Sequence, residues 1–156
     1  MRIDRLMVRA PVTVTPDTTI RRAAQLMAEH GVGSLVVTDH ERLVGIVTDR
    51  DLVNRVLATD VPLDGRIDSV MSMDVVTVDA STDLRDVVRA FGQHAVRRIP
   101  MTVEGRVTGL VSLDDMLASY AQQLTELTNG LTAQLLFPHA SDEPPVPVRA
   151  ETGSGD

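Results

Sequence analysis
The chain has 156 residues, of which 43% are hydrophobic, and a formal charge of −7. It can bury a core as one domain or as two small halves that share one, and its acidic balance argues against a nucleic-acid or anionic-membrane surface. Without cysteine it has no disulfide, thiolate metal site or cysteine nucleophile, and with no signal-like leader or apolar run of the ~18 residues a bilayer span needs, it is expected to be cytoplasmic.

In chain order, Ile3–Met7 predicts a short helical turn, and Val12, Thr13 and Val14 a β-branched strand that stops at Pro16-Asp17. Ile20, Ala23, Ala24 and Met27 recur at helical spacing, with Gly31 as the stop. Leu35–Val37 and Leu43–Val47 predict two strands joined by a hairpin turn at Asp39-His40-Glu41. A helix from about Asp49 to Ala58 ends before Pro62, and the polar stretch 59–65 reads as a linker. The order is β-α-β-β-α.

That order then repeats. Residues 66–117 align on 2–53 without a gap, pairing Ile67 with Ile3, Met71 with Met7, His94 with His30 and Gly109 with Gly45. Leu84, Val87, Val88 and Phe91 form the second copy's helical stripe, and Glu104-Gly105 its hairpin turn. A unit of about fifty residues buries too little alone, so two copies are expected to share one core.

The most informative stretch is Gly45-Ile46-Val47-Thr48-Asp49-Arg50-Asp51 and its copy Gly109-Leu110-Val111-Ser112-Leu113-Asp114-Asp115. It describes a strand running into a helix. Thr48 and the first free amides of that helix can face a phosphate or ribose oxygen, while Asp51 can accept hydrogen bonds from both hydroxyls of a ribose diol. The same spacing also suits a helix capping box, in which the hydroxyl caps the N3 amide and the acid reaches back. Ser112 and Asp115 carry both readings too.

With Ile-Asp-x-x-Met opening each copy, Val-Thr-Val before the first helix, Arg97-Arg98-Ile99-Pro100 before a strand, and Gly-Ile-Val-Thr-x-x-Asp-Leu, residues 2–117 resemble a tandem pair of CBS (cystathionine-β-synthase-type) domains. The resemblance implies an α+β fold of two repeats, 1–60 and 61–120, packed as a pseudo-twofold pair with two clefts between them. It also implies a regulatory adenosine ligand, AMP, ADP, ATP or S-adenosylmethionine, with or without magnesium, and assembly as a homodimer. No other cofactor is required. Occupancy would be signalled to an effector protein or within the dimer; the alternative is a ligand-independent dimerisation or interaction module.

In the first cleft we expect Thr48 and Asp51, with walls from Ile46 and Val96. The second would use Ser112, Asp115 and Arg98, the arginine placed near a ligand's phosphates by the resemblance, with walls from Leu110, Ile99 and the turn at Gly33. Two permanently charged forks, Arg97 and Arg98, suit phosphate, whereas their counterparts Gly33 and Ser34 leave room for a base or sugar. This difference makes the Asp115 cleft the expected phosphate site. Thr13, Val14, Thr77 and Val78 offer backbone amides to an adenine edge or serve only as strand, and Pro100 shapes the pocket, with Val36 in its place in the first copy.

Catalysis is not expected: the chain has no nucleophile elbow, Walker loop or dinucleotide fingerprint. His30 and His94 read as helix-end residues rather than metal ligands, and the aspartates lack EF-hand spacing. Beyond the pair, Leu117, Tyr120, Leu124 and Leu127 continue an apolar stripe through a helical extension over 121–137. Asn129-Gly130 predicts a helix stop, with the stripe resuming at Leu131, Leu135 and Leu136. Such a stripe would pack on its own pair or on a dimer partner, or else serve as a helix that docks another protein. Residues 138–156 read as a disordered tail.

Overall fold
The computed structural model describes residues 8–136, with side chains to residue 131. The predicted turn at Ile3–Met7 and the tail from Pro138 lie outside the described residues. The chain divides into two units, residues 1–119 and 120–156.

The first unit holds six strands: β1 (Thr13–Val14), β2 (Ser34–Asp39), β3 (Arg42–Thr48), β4 (Val78–Asp79), β5 (Arg98–Val103) and β6 (Arg106–Ser112). Its helices are α1 (Ile20–His30), α2, which opens at Asp49–Asp51, α3 (Leu84–His94) and the start of α4 (Leu113–Leu136). In each half a short parallel strand lies beside an antiparallel hairpin, and the sheet order is β1-β2-β3-β6-β5-β4.

Pairing registers recur 64 residues later. Ser34 opposite Thr48 becomes Arg98 opposite Ser112, Val14 opposite Val37 becomes Val78 opposite Met101, and the bulge after Val37 returns after Met101. The halves meet where Arg42 faces Arg106, its own counterpart. On either side of that pair, Leu43 N–H donates to the Gly105 carbonyl (3.2 Å) and Val107 N–H to the Glu41 carbonyl (3.1 Å). These two bonds are images of one another, so the pseudo-twofold axis runs between Arg42 and Arg106.

Caps and stripes explain the helices. Thr19 Oγ1 accepts the Arg22 N–H (3.1 Å) at the start of α1, and Asp83 accepts the Arg85 N–H (2.9 Å) at the start of α3. Ile20, Ala23 and Met27 are buried on α1, as are Leu84, Val87 and Phe91 on α3. Ala24 and Val88 were expected in these stripes but are exposed, because they sit at the stripe's edge; half-buried Leu26 packs on the core instead.

Two helix expectations need correction. The stretch predicted as one helix over 49–58 is helical but not uniform: one α-turn is followed by π-helical Leu52–Val56 and 3₁₀ Leu57–Thr59. The wider turn carries Val56 to 1% exposure while Val53 and Leu57 stay outside. Asn129-Gly130 does not stop α4, which continues to Leu136. Gly130 does not adopt the left-handed conformation that ends a helix; within a helix a glycine costs only about 1 kcal/mol relative to Ala.

Within the first unit the repeats share their cores. Ile67 (0% exposed) and Val70 (5%) belong to the cluster formed by Val14, Ile20, Leu35 and Val47. Ile67 N–H donates to the Thr18 carbonyl (2.8 Å), Ile20 N–H to that of Gly65 (2.9 Å) and Arg21 N–H to that of Leu63 (2.8 Å). The opening turn of the second repeat therefore completes the first half. In the second unit α4 runs on, and Leu124, Leu127 and Leu131 of the expected stripe are each more than half exposed, as is Leu117 in the first.

Candidate functional site
Strand β3 ends at Thr48, whose extended backbone (φ −114°, ψ 162°) makes it the cap of α2. Thr48 Oγ1 accepts the Asp51 N–H (3.2 Å), and Asp51 Oδ2 accepts both the Thr48 N–H (2.9 Å) and the Thr48 hydroxyl (3.0 Å). Asp51 Oδ1 lies 3.4 Å from the Arg55 guanidinium. The capping box is thus formed, and it holds both side chains in fixed rotamers at the strand end.

A cleft of about 570 Å³ opens beside them. Its first-repeat wall is Ile46, Thr48, Asp49, Arg50 and Asp51; facing it are Ser72, Asp74, Val75 and Val76, then Ala95, Val96, Arg97, Arg98 and Asp114. Ser72 reaches this place because its N–H and carbonyl both bond to Ile46 (2.9 and 3.0 Å). A Cβ on Gly45 would lie 2.4 Å from Met71 Sδ and 3.0 Å from the Ser72 carbonyl, so the motif glycine is what lets the second repeat's chain cross β3.

The cleft mixes apolar side chains (Ile46, Val75, Val76 and Val96) with charges of both signs. Arg97 pairs with Asp114 at 2.7 Å. Among the described residues Arg98 makes no ion pair, although it is half-buried and its guanidinium lies 3.2 Å from where a Cβ on Gly33 would stand. Such a Cβ would also sit 3.0 Å from Asp49 Oδ2, and the Gly33 carbonyl accepts the Asp49 N–H (3.1 Å). Gly33 and Arg98 therefore border the cleft of Thr48 and Asp51, not that of Asp115. The first repeat's counterpart of Arg98, Ser34, is 3% exposed, and its hydroxyl has no partner among the described residues.

Six residues singled out from sequence, Ile46, Thr48, Asp51, Val96, Arg97 and Arg98, line one cleft together. Ser112 and Asp115 lie at the end of β6, where the Asp115 N–H stands 3.5 Å from Ser112 Oγ and Asp115 Oδ1 is held by Arg9 at 2.7 Å. Leu110 bonds through its backbone to Arg9, while Ile99 and Pro100 are buried in β5. Val14 and Val78 point into the cores, and Thr13 and Thr77 are exposed. Sequence reasoning missed Ser72, Asp74, Val75 and Val76 as lining residues and singled out only the adjacent Thr77 and Val78. Among the described residues no group of His, Asp or Glu suits a metal ion, and no helix is long and apolar enough to cross a membrane.

The CBS domain family model matches residues 3–58 and 67–122. Among curated relatives, the CBS domain-containing protein YhcV of Bacillus subtilis is 34% identical over 110 residues, covering 70% of this chain and 79% of that protein. Among solved structures, an uncharacterized conserved protein from Pyrococcus horikoshii aligns with a TM-score of 0.71 at 32% identity, over 76% of this chain and 91% of that one. The CBS domain pair of protein MJ0100, crystallised with 5′-methylthioadenosine and S-adenosyl-L-methionine, aligns with a TM-score of 0.71 at 22% identity, over 79% and 98% of the respective chains. The last shares the fold.

Proposed function
The chain belongs to the CBS-domain family, and on that premise we propose that it is a non-catalytic regulatory module that binds one adenosine-type ligand in the cleft beside Thr48 and Asp51. The observation that supports this reading is the convergence, in one cleft of nucleotide size, of the Asp51 carboxylate, of Arg98, which makes no ion pair among the described residues, and of the apolar side chains Ile46, Val76 and Val96. Asp51 would receive the ribose hydroxyls, the α2 N-terminus and Arg98 the phosphates, and Ile46, Val76 and Val96 the base. The adenosine ligands bound by MJ0100 on the same fold support this chemistry.

The ligand would touch both repeats, so its affinity would differ between their relative orientations and would shift the population toward one. A homodimer, or an effector protein outside this chain, would read that shift. A second reading has its own support: the Thr48–Asp51 hydrogen bonds are those of a complete helix capping box, which is all that a purely structural role requires.

Calorimetric titration of AMP, ATP and S-adenosylmethionine separates the two. Asp51→Asn is expected to weaken all three by about 10- to 100-fold, the value of a charge-assisted hydrogen bond. Arg98→Ala is expected to weaken ATP at least ~10-fold and S-adenosylmethionine much less, since the latter carries no phosphate. No binding of any of the three at millimolar concentration would leave the structural module as the correct reading.

A further inference from the structure
The ends of β3 and β6 are images of one another in strand register, but the segment crossing each is set differently. Over β3 the bridging residue is Ser72, paired with Ile46; over β6 it is Arg9, paired with Leu110 through bonds of 3.2 and 3.0 Å. Ile46 and Leu110 are counterparts, whereas Ser72 and Arg9 are not: the counterpart of Arg9 is Met73. The chain over β6 has thus slipped by one residue. The glycines record the same slip, since a Cβ on Gly45 would meet Met71, and a Cβ on Gly109 would meet Val8, the counterpart of Ser72.

The slip has a chemical consequence. It brings the Arg9 guanidinium to 2.7 Å from Asp115 Oδ1, a carboxylate only 20% exposed, whereas Met73, 74% exposed, carries no charge and the Arg55 guanidinium of Asp51's own helix stands off at 3.4 Å. A diol approaching Asp115 must displace a charged fork, and the side opposite supplies no replacement, because Arg97 and Arg98 have Gly33 and Ser34 as counterparts there.

We infer that Arg9, in the stretch that crosses β6, is a latch that closes the Asp115 side to a ligand, so that the module takes one adenosine ligand per chain. This inference rests on the proposed function, and the pair carries the stoichiometry as a property of the sequence rather than of the fold. Arg9 itself is 71% exposed, so the latch is a surface ion pair supported by two backbone bonds, weak enough for one substitution to release.

The test is calorimetric stoichiometry with ATP on the full chain. Wild type is expected to bind one ATP per chain, weakened about 10- to 100-fold by Asp51→Asn and unchanged by Asp115→Asn. Arg9→Met, which copies the first cleft, is expected to bind a second ATP that Asp115→Asn then removes. Two ATP per wild-type chain would overturn the latch while leaving the nucleotide reading intact, most directly if Arg9→Met lost one of them. An Arg9→Met chain that melts normally and still binds only one ATP would also overturn it. No binding to either protein would remove the nucleotide reading and the latch with it.

Discussion

The ends of β3 and β6 share a backbone and differ in chemistry. Each is a strand running into a helix from a hydroxyl residue, with an aspartate three positions on and a glycine that admits a crossing segment. At the first, Asp51 is engaged by its own helix cap, with Arg55 at 3.4 Å, and faces a cleft bordered by Arg98, which makes no ion pair among the described residues. At the second, Asp115 is engaged by Arg9. Duplication thus preserved the strand registers within each repeat and the seam at Arg42 and Arg106, while the segment crossing each strand and the side chains around it diverged. A pseudo-symmetric fold need not give symmetric sites.

The largest expected effect breaks the sharing on which both clefts depend. Ile67 belongs to the second repeat but is fully buried in the first repeat's core. Ile67→Ala should cost about 2–5 kcal/mol, measured by chemical denaturation of the whole chain. A cost below about 1 kcal/mol would mean that the opening turn of the second repeat is an accessory to the first core rather than part of it.

A smaller effect sharpens the comparison at the helix ends. Gly31 ends α1 in the left-handed region (φ 62°), with the Val32 N–H donating to the Met27 carbonyl (3.0 Å) and the Gly31 N–H to that of Ala28 (3.3 Å). Ala95 takes the same conformation after α3 (φ 51°) with a Cβ that disfavours it. Gly31→Ala meets no atom within 4 Å, so its cost is backbone alone, about 1 kcal/mol. Ala95→Gly should stabilise by a similar amount. Thermal melts of both variants check the pair, and equal signs would sink the argument. Ala95 lines the cleft, so the stabilised variant also reports whether ligand affinity depends on that methyl group.

Much of this was legible in the sequence. The repeat, the element order and the Thr48–Asp51 spacing follow from residue types at fixed separations, because local hydrogen bonding and alternation decide them. What the sequence hid is what depends on crossing chains. Arg98 precedes its own strand in the second repeat, yet it borders the first repeat's aspartate, because the pseudo-twofold pairing at Arg42 and Arg106 brings the start of β5 against Gly33. Likewise Arg9 carries no motif, and only the one-residue slip across β6 makes it the partner of Asp115. Gly130 misled for the opposite reason: a local stop signal does not end a helix whose backbone continues unbroken.

The smallest expected effect concerns the turns that lead into α1 and α3, where the repeats exchange partners. In the first, the Thr15 hydroxyl donates to Asp17 (2.5 Å); in the second, the Ser81 hydroxyl donates to Asp79 (2.5 Å). Thr15 and Asp79 are counterparts, as are Asp17 and Ser81, so the same bond is built with donor and acceptor interchanged. In each case the hydroxyl holds the carboxyl below the usual carboxylate range, with backbone hydrogen bonding as a second cause. A carboxyl whose folded-state value is depressed contributes stability that is present above the unfolded value, about 3.9, and is lost as pH falls through the folded value. Asp17→Asn and Asp79→Asn should therefore each lower the melting temperature slightly at neutral pH, and the gap to wild type should close below about pH 4. Carboxyl titration by NMR checks the cause directly: midpoints at or above the usual value for either aspartate would show that interchanging donor and acceptor does not conserve the turn. Equal depression at both would show that the bond, rather than the residue at either position, is what the two turns have in common.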